Sequence, residues 1–409
     1  MACSTRRMRL VLLLIALSAC LGQPCELRQL EDATAGEVRH GVALGEDADV
    51  TATAGGVACR TCGGIYYLDH ELRQRRRVGV ALAGDGLIAV SGDTTLVFDR
   101  DFGEDADADN DVGRPRNFQL FALSATGGEL WRVDFGTGEM WHGSLQPLLV
   151  AGPASAVIYG DFAASVFDPA TGAMRQSIPL TQGTQVLPDA TGGLFIGSGA
   201  FVFNPGTASA TLRHLDAGGA ELWTTTWSTT DTRTTDASSI YFEAMARTMD
   251  GGLVVAARFT GPALDLGDRI LQRPGAAGGM VIAVIDGGGG VRWASLIDTA
   301  ANLTIAQIVP AGDGVEIGGA YSGVGGRILP DSEDVDGYIA HVDPAGTVAA
   351  RAIGGEGFQI VKALAPGGDG SVHVTVLNAP EQGRAVMRVD GRSYDDGTRR
   401  RWYVLNMLP

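Results

Sequence analysis

Short apolar runs alternate with turns rich in Gly and Asp along most of this chain. Between residues 249 and 296, the runs 253–259, 280–285 and 291–297 are separated by such turns. β-Branched residues fit the pleated surface of a sheet, and Gly suits the turns of hairpins because it adopts positive φ without strain. The pattern predicts short antiparallel strands, and we interpret residues 249–296 as one sheet of four strands.

The same kind of turn recurs along the sequence and leads each time into an outgoing strand. Its copies begin at Ser124, Asp168, Asp216, Asp286, Asp343 and Asp390, with a candidate first copy at Asp69. The copies start roughly 45–70 residues apart, which is the period of propeller blades and not of helical solenoids. A second turn, such as the Asp-Gly-Gly at residues 250–252, precedes the copies. Two hairpins per repeat imply four strands per repeat.

A single four-stranded blade cannot bury both of its faces, so repeated blades must stack around an axis. We therefore predict an all-β chain in which residues 40–409 form a single β-propeller. The spacing favours about seven four-stranded blades, and six to eight are compatible with it.

Three of the six tryptophans recur at one position of the outgoing strand, namely Trp131, Trp223 and Trp293. A regular position predicts packing between neighbouring blades, because large aromatic side chains fill repeated interfaces. Trp141, His142 and Trp227 fall outside that position. They are candidates for a site on a face or in the channel of the propeller, with packing as the alternative.

The repeat motifs resemble a known family. The segments LDAGGAELW, IDGGGGVRW and VDPAG resemble the bacterial β-propeller repeats of secreted and surface lipoproteins, and FDPATG and ALSATGGELW are similar to the turn of quinoprotein-type propellers. The resemblance covers about residues 40–409 and implies a propeller fold without implying one function. In quinoproteins the cofactor lies against a disulfide of adjacent cysteines, and this sequence has no Cys-Cys dipeptide.

The first residues have the features of a targeting segment. A basic region with three arginines precedes an apolar stretch at residues 10–17, which is too short to span a bilayer. Leu-Ser-Ala-Cys at residues 17–20 resembles the bacterial lipobox. This resemblance implies a signal peptide at residues 1–19, lipidation of Cys20 and a flexible tether over residues 20–39, with ordinary secretion as the alternative. Residue 21 is Leu, whereas an Asp at this position would resemble an inner-membrane retention signal. The sequence therefore favours an outer-membrane lipoprotein that faces the periplasm or the cell surface.

Acidic residues dominate the charge of the chain. The formal net charge is −16, which disfavours nucleic acid because phosphate contacts need clustered cations. One stretch interrupts the repeats with alternating carboxylates at Asp105, Asp107, Asp109 and Asp111. Carboxylates at alternate positions of a loop can converge on Ca²⁺, so these four are candidate Ca²⁺ ligands. A solvated acidic insertion is the alternative, also for the later acidic stretch at residues 331–336.

Cysteines give one further candidate feature. Cys59 and Cys62 form a CxxC pair without a second pair or a nearby His pair, which argues against a four-ligand metal site. In an oxidising compartment we expect a disulfide between Cys59 and Cys62. Pairing of Cys25 with one of them is the alternative.

Three functions fit these features. We expect an envelope-anchored or surface-anchored monomer that acts as a binding or protein-interaction module. It would attach to the membrane through Cys20 and contact other envelope or surface proteins. The alternatives are a scaffold in outer-membrane assembly, or a propeller hydrolase, lyase or quinoprotein-like oxidoreductase with a site in the central channel. We assign no catalytic residues, because the sequence has no nucleophile elbow, no phosphate loop and no His pair with metal-ligand spacing.

Overall fold

β-Strands account for all regular secondary structure in the part of the chain that the structure describes. The computed structural model describes residues 28–29, 38–44, 49–53, 56–61, 64–69, 71–79, 87–101, 117–136, 148–160, 162–181, 183–202, 206–229, 238–272, 279–297, 302–323, 328–367, 371–380, 384–390, 392–397 and 399–407. Over these ranges the search for a helix of membrane-spanning length and hydropathy finds none.

The first strands of the chain are β1 (Arg28–Gln29) and β2 (Val38–Leu44), and they belong to the last blade. Three antiparallel sheets of four consecutive strands follow. Blade 1 is β3 (Asp49–Thr53), β4 (Gly56–Thr61), β5 (Gly64–Leu68) and β6 (Gln74–Val78). Blade 2 is β7 (Leu87–Ser91), β8 (Thr94–Asp101), β9 (Asn117–Leu123) and β10 (Glu129–Gly136). Blade 3 is β11 (Leu148–Ala151), β12 (Ala156–Tyr159), β13 (Ala163–Phe167) and β14 (Met174–Pro179).

Among the described strands, blades 4, 5 and 7 contain insertions between their second and third strands. Blade 4 is β15 (Gln185–Pro188), β16 (Leu194–Ser198), β18 (Ser209–Leu215) and β19 (Glu221–Thr229), with β17 (Ala200–Val202) inserted. Blade 5 is β20 (Ser238–Arg247), β21 (Leu253–Thr260), β24 (Gly279–Ile285) and β25 (Val291–Ile297), with the hairpin β22 (Ala263–Asp265) and β23 (Ile270–Gln272) inserted. Blade 6 is β26 (Asn302–Ala311), β27 (Gly314–Gly323), β28 (Ser332–Val342) and β29 (Val348–Glu356).

Blade 7 closes the ring with strands from both ends of the chain. Its inner strands are β30 (Phe358–Pro366) and β31 (Val372–Ala379), the hairpin β32 (Ala385–Val389) and β33 (Arg392–Gly397) is inserted, and the third strand is β34 (Arg401–Met407). The fourth strand is β2, which pairs antiparallel with β34 along its length, from Val38 opposite Met407 to Leu44 opposite Trp402. The first and last parts of the sequence therefore hold each other in one sheet.

The seven blades form a closed ring. Their innermost strands β3, β7, β11, β15, β20, β26 and β30 contact one another in that order, and β30 also contacts β3. The buried apolar side chains fall into seven clusters, and each cluster lies between two neighbouring blades. This arrangement confirms the predicted all-β propeller with four-stranded blades.

Because the strands of a blade alternate in direction, their connections lie on two opposite ends of the ring. One end carries the turns between first and second strands and between third and fourth strands. We call it the turn face, and Asp216, Asp286 and Met249 lie on it. The other end carries the second-to-third connections and the links between blades. We call it the insertion face, and Phe162 and Phe201 lie on it.

Burial along the strands explains why the central strands read as continuous apolar runs. All seven residues of β24 are buried, as are all four residues of β12. A central strand packs against a neighbouring blade on both faces, so each of its positions favours an apolar side chain. The outer strand β14 alternates between exposed and half-buried positions instead.

The recurring turn joins the third and fourth strands of a blade. In blade 4, Asp216 Oδ1 accepts hydrogen bonds from the backbone N–H groups of Gly218 and Ala220, each at 2.8 Å. Gly219 has a φ of 85°, which glycine adopts without strain. Side-chain oxygens accept backbone N–H groups in the same way at Asp69, Ser124, Asp168, Asp286 and Asp343. The repeated motif is therefore a self-stabilised hairpin turn.

Two of the recurring tryptophans connect the outer strand of one blade to the turn of the next blade. Trp131 Nε1 donates to Pro169 O and Trp223 Nε1 donates to Gly287 O, each at 3.0 Å. A Cβ on Gly289 would lie 2.9 Å from Trp223 Cδ2, so the glycine also makes room for the indole. Trp293 packs against the cluster between blades 5 and 6. The prediction of packing between blades is confirmed.

Two expectations about the repeat need correction. Residues 249–296 supply only three strands of blade 5, because its innermost strand β20 begins at Ser238 and the hairpin β22–β23 pairs with β19 of blade 4. Asp390 does not begin a third-to-fourth turn, since it joins β32 to β33. Local patterns reveal strands and turns, but the sheet that a strand joins depends on contacts that are distant in sequence.

The first propeller strand begins earlier than predicted. β2 starts at Val38, two residues before the expected boundary at residue 40, and β1 within the expected tether of residues 20–39 pairs with β2. The partner of β2 lies at the far end of the sequence, so no local signal indicated this pairing.

We expect Gly289→Ala to destabilise the protein more than Gly251→Ala. Both glycines have left-handed φ values, 90° and 83°, so each substitution carries a backbone cost of about 1 kcal/mol. Only residue 289 meets an indole, while a Cβ at residue 251 has nothing within 4 Å. Chemical denaturation should give a loss of about 2–3 kcal/mol for Gly289→Ala and about 1 kcal/mol for the control. Equal losses would contradict this account of the interface.

Candidate functional site at the channel mouth

The wall of the central channel is taller on one side. The innermost strands β20 and β26 have 10 residues each and β30 has 9, whereas β3 and β7 have 5 and β11 and β15 have 4. Blades 5, 6 and 7 therefore provide most of the described channel surface.

Each of the three tall strands has a β-bulge at an equivalent position. The pairing registers shift around Glu243 in β20, Ala306 in β26 and Lys362 in β30, while β3, β7, β11 and β15 pair without a shift. A bulge leaves one residue out of the ladder and redirects its side chain. Ala306 and Lys362 are exposed in the middle of innermost strands whose faces are covered by neighbouring blades. These two positions therefore face the channel.

The side chain of Glu243, at the bulge of β20, contacts blade 6. Its Oε1 accepts a hydrogen bond from Arg258 Nε at 2.7 Å, and its Oε2 accepts one from the backbone N–H of Ile305 at 2.8 Å. Arg258 also donates to the carbonyl of Leu303. The side chains of Glu243 and Arg258 are 17% and 37% exposed. The ion pair thus joins blade 5 to the backbone of blade 6 at the edge of the channel.

These contacts limit what the pair can do chemically. Both carboxylate oxygens of Glu243 accept structural hydrogen bonds, so this carboxylate is not available as a general base without breaking the contact between blades. Nearby, Tyr338 donates to the carbonyl of Thr304 at 3.1 Å, and burial raises the pKa of Tyr338 well above its ordinary value. The phenol therefore remains a neutral donor. The geometry fits a rigid charged wall better than a catalytic pair.

The channel mouth on the insertion face is shaped by β17. This strand belongs to the connection within blade 4, but it pairs with the first residues of β20, on the side of blade 5 nearest the channel axis. Phe201 in β17 is 44% exposed, and its ring stacks on Tyr241 at 6.4 Å between centroids and 28° between planes. Partial burial raises the pKa of Tyr241. An exposed aromatic pair thus lies at the entrance to the channel.

Small residues and hydroxyl groups hold β17 in place. A Cβ on Gly199 would lie 2.6 Å from the carbonyl oxygen of Ile240, so glycine permits the close approach of the insertion to β20. Ser238 Oγ donates to Gly206 O at 2.6 Å beyond the other end of β17. The aromatic pair is therefore presented by a fixed segment.

Aromatic faces next to charged groups offer a site for binding. Phe201 and Tyr241 present apolar ring surface, and the facing backbone partner of Tyr241 is Arg258. Such rings stack on planar or apolar groups, while Arg258 and Glu243 add polarity below them. The arrangement can orient a ligand without changing it chemically.

Two His–carboxylate pairs with buried carboxylates lie away from the mouth, and sequence reasoning missed both. His214 Nε2 lies 2.9 Å from Asp189 Oδ2, and His341 Nδ1 lies 2.7 Å from Glu316 Oε1. Each histidine stands two residues before the aspartate of a recurring turn, which is the sequence signal that could have revealed them. Phe195 stacks on His214 at 4.1 Å between ring centroids. Both pairs tie neighbouring strands of one blade together and act structurally.

The residues singled out from the sequence are not brought together. Cys59 is buried in β4, whereas Cys62, Cys20, Trp141 and His142 lie outside the described residues. Trp227 is fully buried between blades 4 and 5, so the packing alternative is correct for it. The disulfide and the lipidation stay predictions.

Asp105, Asp107, Asp109 and Asp111 also lie outside the described residues. In sequence their segment lies between β8 and β9, and the stretch 331–336 begins one residue before β28. Most of that second stretch is strand in β28 rather than an open loop, and burial raises the pKa of Asp336. Among the described residues, no three His, Cys, Asp or Glu side chains gather as a metal site would require. The Ca²⁺ site stays a prediction.

The strand pairing and the closed ring define a seven-bladed β-propeller whose second-to-third connections carry inserted strands in blades 4, 5 and 7. No family model matches the chain, and a search of curated proteins also finds no match. Solved structures match the chain at low sequence identity. A protein of unknown function from Bacteroides caccae has 14% identity and a TM-score of 0.34 over 60% of this chain and 71% of its own. A eukaryotic initiation factor has 11% identity and a TM-score of 0.38 over 94% of each chain.

The β-propeller domain of Cps50 (Swd1) from Myceliophteria thermophila has 10% identity and a TM-score of 0.46 over 91% of this chain and all of its own. The fold assignment rests on the strand pairing and the seven interfaces of this chain.

We expect Glu243→Ala to weaken the junction between blades 5 and 6. The change leaves the Ile305 N–H and the Arg258 Nε–H without their acceptor, and half-buried donors of this kind cost about 1–2 kcal/mol after allowance for the exposure of Arg258. Chemical denaturation measures the loss. Arg384→Ala is the control, because Arg384 and Asp395 form an exposed ion pair, 57% and 49% exposed. The control should change stability by less than about 0.5 kcal/mol, and an equal loss would contradict a role for Glu243 between the blades.

Asp189 should contribute stability that disappears in acid. Burial raises its pKa, but hydrogen bonds from His214, Thr191 and Gly193 outweigh burial and hold the pKa below its ordinary value. The folded state therefore binds its proton less readily than the unfolded state, where the pKa is about 3.9. The stabilisation is complete above that value and is lost as the pH falls through the lower folded value. Asp189→Asn should be less stable at pH values above about 5, with the difference shrinking below about 4.

Denaturation of both proteins at a series of pH values checks this expectation. A difference that stays constant from pH about 5 down to about 3 would show that the charge of Asp189 makes no contribution.

Proposed function

We propose that the protein is an envelope-anchored binding module that engages its ligand or partner protein at the channel mouth on the insertion face. The observation that carries the proposal is the placement of Phe201. An insertion from blade 4 crosses to blade 5 and presents this ring, 44% exposed, over Tyr241 beside the channel. Exposed aromatic residues on a rigid scaffold are common anchors of binding sites.

The position of the mouth agrees with the general use of propellers as binding and interaction modules. The ring supplies a rigid frame, and the connections on one face vary in length without disturbing it. Glu243 and Arg258 below the mouth are engaged in contacts between blades, which favours binding over catalysis. The envelope location is supported by the basic region, apolar stretch and lipobox that end at Cys20.

Site-specific photo-crosslinking tests this function. A benzophenone amino acid replaces Phe201 in cells that produce the full chain, and a matched protein carries it at Met249, which is fully exposed on the turn face. We expect a discrete adduct from position 201 and none from position 249. Equal adducts from both positions, or none from position 201, would contradict the proposal.

The loss of binding must be separated from loss of folding. Because the Phe201 side chain is nearly half exposed, Phe201→Ala should change the free energy of unfolding by no more than about 1 kcal/mol. The variant should therefore fold normally and still compete poorly for the partner found by crosslinking. The identity of that partner also separates a receptor-like module from a scaffold in outer-membrane assembly.

A further inference from the structure

The N-terminal strand β1 fixes where the chain leaves the ring. Arg28 lies opposite Ala43 and Gln29 opposite Val42 in antiparallel pairing, at the last residues of β2. This end of β2 leads to β3 through a link between blades, so it lies on the insertion face. The segment that precedes Arg28 therefore departs from the insertion-face edge of blade 7.

The pairing shortens the link to Cys20. Arg28 is eight positions after Cys20, and eight fully extended residues span at most about 28 Å. Without β1, the eighteen residues from Cys20 to Val38 could extend about 60 Å, and they would start from the turn face. β2 itself has 7 residues, a height of about 23 Å. A link of about 28 Å that starts at the insertion face is therefore only slightly longer than the distance to the opposite face.

We infer that the anchored propeller stands with its insertion face toward the membrane, and that the partner at its mouth is a protein embedded in that membrane. The inference rests on the proposed lipid anchor at Cys20 and deepens the proposed function. It follows from the short link, which keeps the edge of blade 7 within about 28 Å of the bilayer.

The distance between the insertion face and the bilayer limits the size of the partner. A folded soluble domain of about 100 residues has a radius of gyration of about 13 Å, so its full diameter exceeds the space below a face held this close. A membrane-embedded protein with short exposed loops fits that space. A bare lipid surface is disfavoured, because the net charge of −16 repels anionic headgroups.

The test compares the two ends of one strand. Phe162 precedes β13 on the insertion face and Ala170 follows it on the turn face, and both are exposed. The acylated full-length protein carries a fluorophore on Phe162→Cys or on Ala170→Cys and is reconstituted into vesicles with an energy-transfer acceptor at the bilayer surface. The unsubstituted protein measures labelling of the native cysteines. We expect the label at residue 162 to lie closer to the bilayer by about 17 Å, the length of β13.

Release of β1 supplies a matched control. The double substitution Arg28→Pro and Gln29→Pro removes both backbone N–H groups of β1, including the one directed at β2, and lengthens the link. The difference between the two labels should then shrink or vanish, while the ring remains folded. A label at residue 170 that is equally close or closer with the unsubstituted link would overturn the inference. A difference that the double proline substitution does not change would overturn it as well.

Two further measurements separate this inference from the proposed function. Mass analysis of the N-terminal peptide measures the acylation of Cys20. An unmodified Cys20 would overturn the anchor and the inferred orientation, whereas the crosslinking result at Phe201 does not depend on it. Strong quenching of the residue 162 label by nitroxide headgroups, in vesicles without other proteins, would show that the face rests on lipid and would overturn the assignment of a protein partner. Weak quenching, together with a membrane-embedded protein in the crosslinked adduct, supports it.

Discussion

In the described part of the chain the apolar cores lie between blades and not within them, and this constraint governs the structure. The seven apolar clusters lie between blades, so each blade is stable only while both neighbours are present. An open row of blades would expose two apolar sheet faces, and closure buries them. The pairing of β2 with β34 completes the last blade. This contact joins a strand from the first part of the chain to one from the last part. Because it closes the ring, the seven interfaces stabilise the fold cooperatively.

The insertions follow from the same constraint. Connections within blades 4, 5 and 7 do not remain on their own blade, since β17 pairs with β20, β22 with β19, and β32 with β29. Each adds backbone hydrogen bonds across an interface that is otherwise apolar. β17 differs because it lies on the channel side, and it therefore shapes the mouth instead of the outer rim. The same inserted strand therefore adds backbone hydrogen bonds between blades and forms part of the proposed binding surface.

Much of the fold followed from local patterns. Asp216 and its equivalents accept hydrogen bonds within their own turn. Each turn could therefore be predicted from a few neighbouring residues. Trp131 and Trp223 could be assigned to packing because they recur in register with those turns. The site could not be found this way. Glu243 contacts Ile305 across 62 residues of sequence, and its bulge has no distinctive composition.

The sequence by itself determined the turns, the runs of central strands, the number of strands per repeat and the class of fold, because these depend on contacts within one hairpin or on a period. Only the tertiary structure decided which strands share a sheet, where the ring closes and which residues form the mouth. β2, β17 and the hairpin β32–β33 pair with strands that are not their neighbours in sequence. The stacking of Phe201 on Tyr241 arises from one such pairing, which no local pattern specifies.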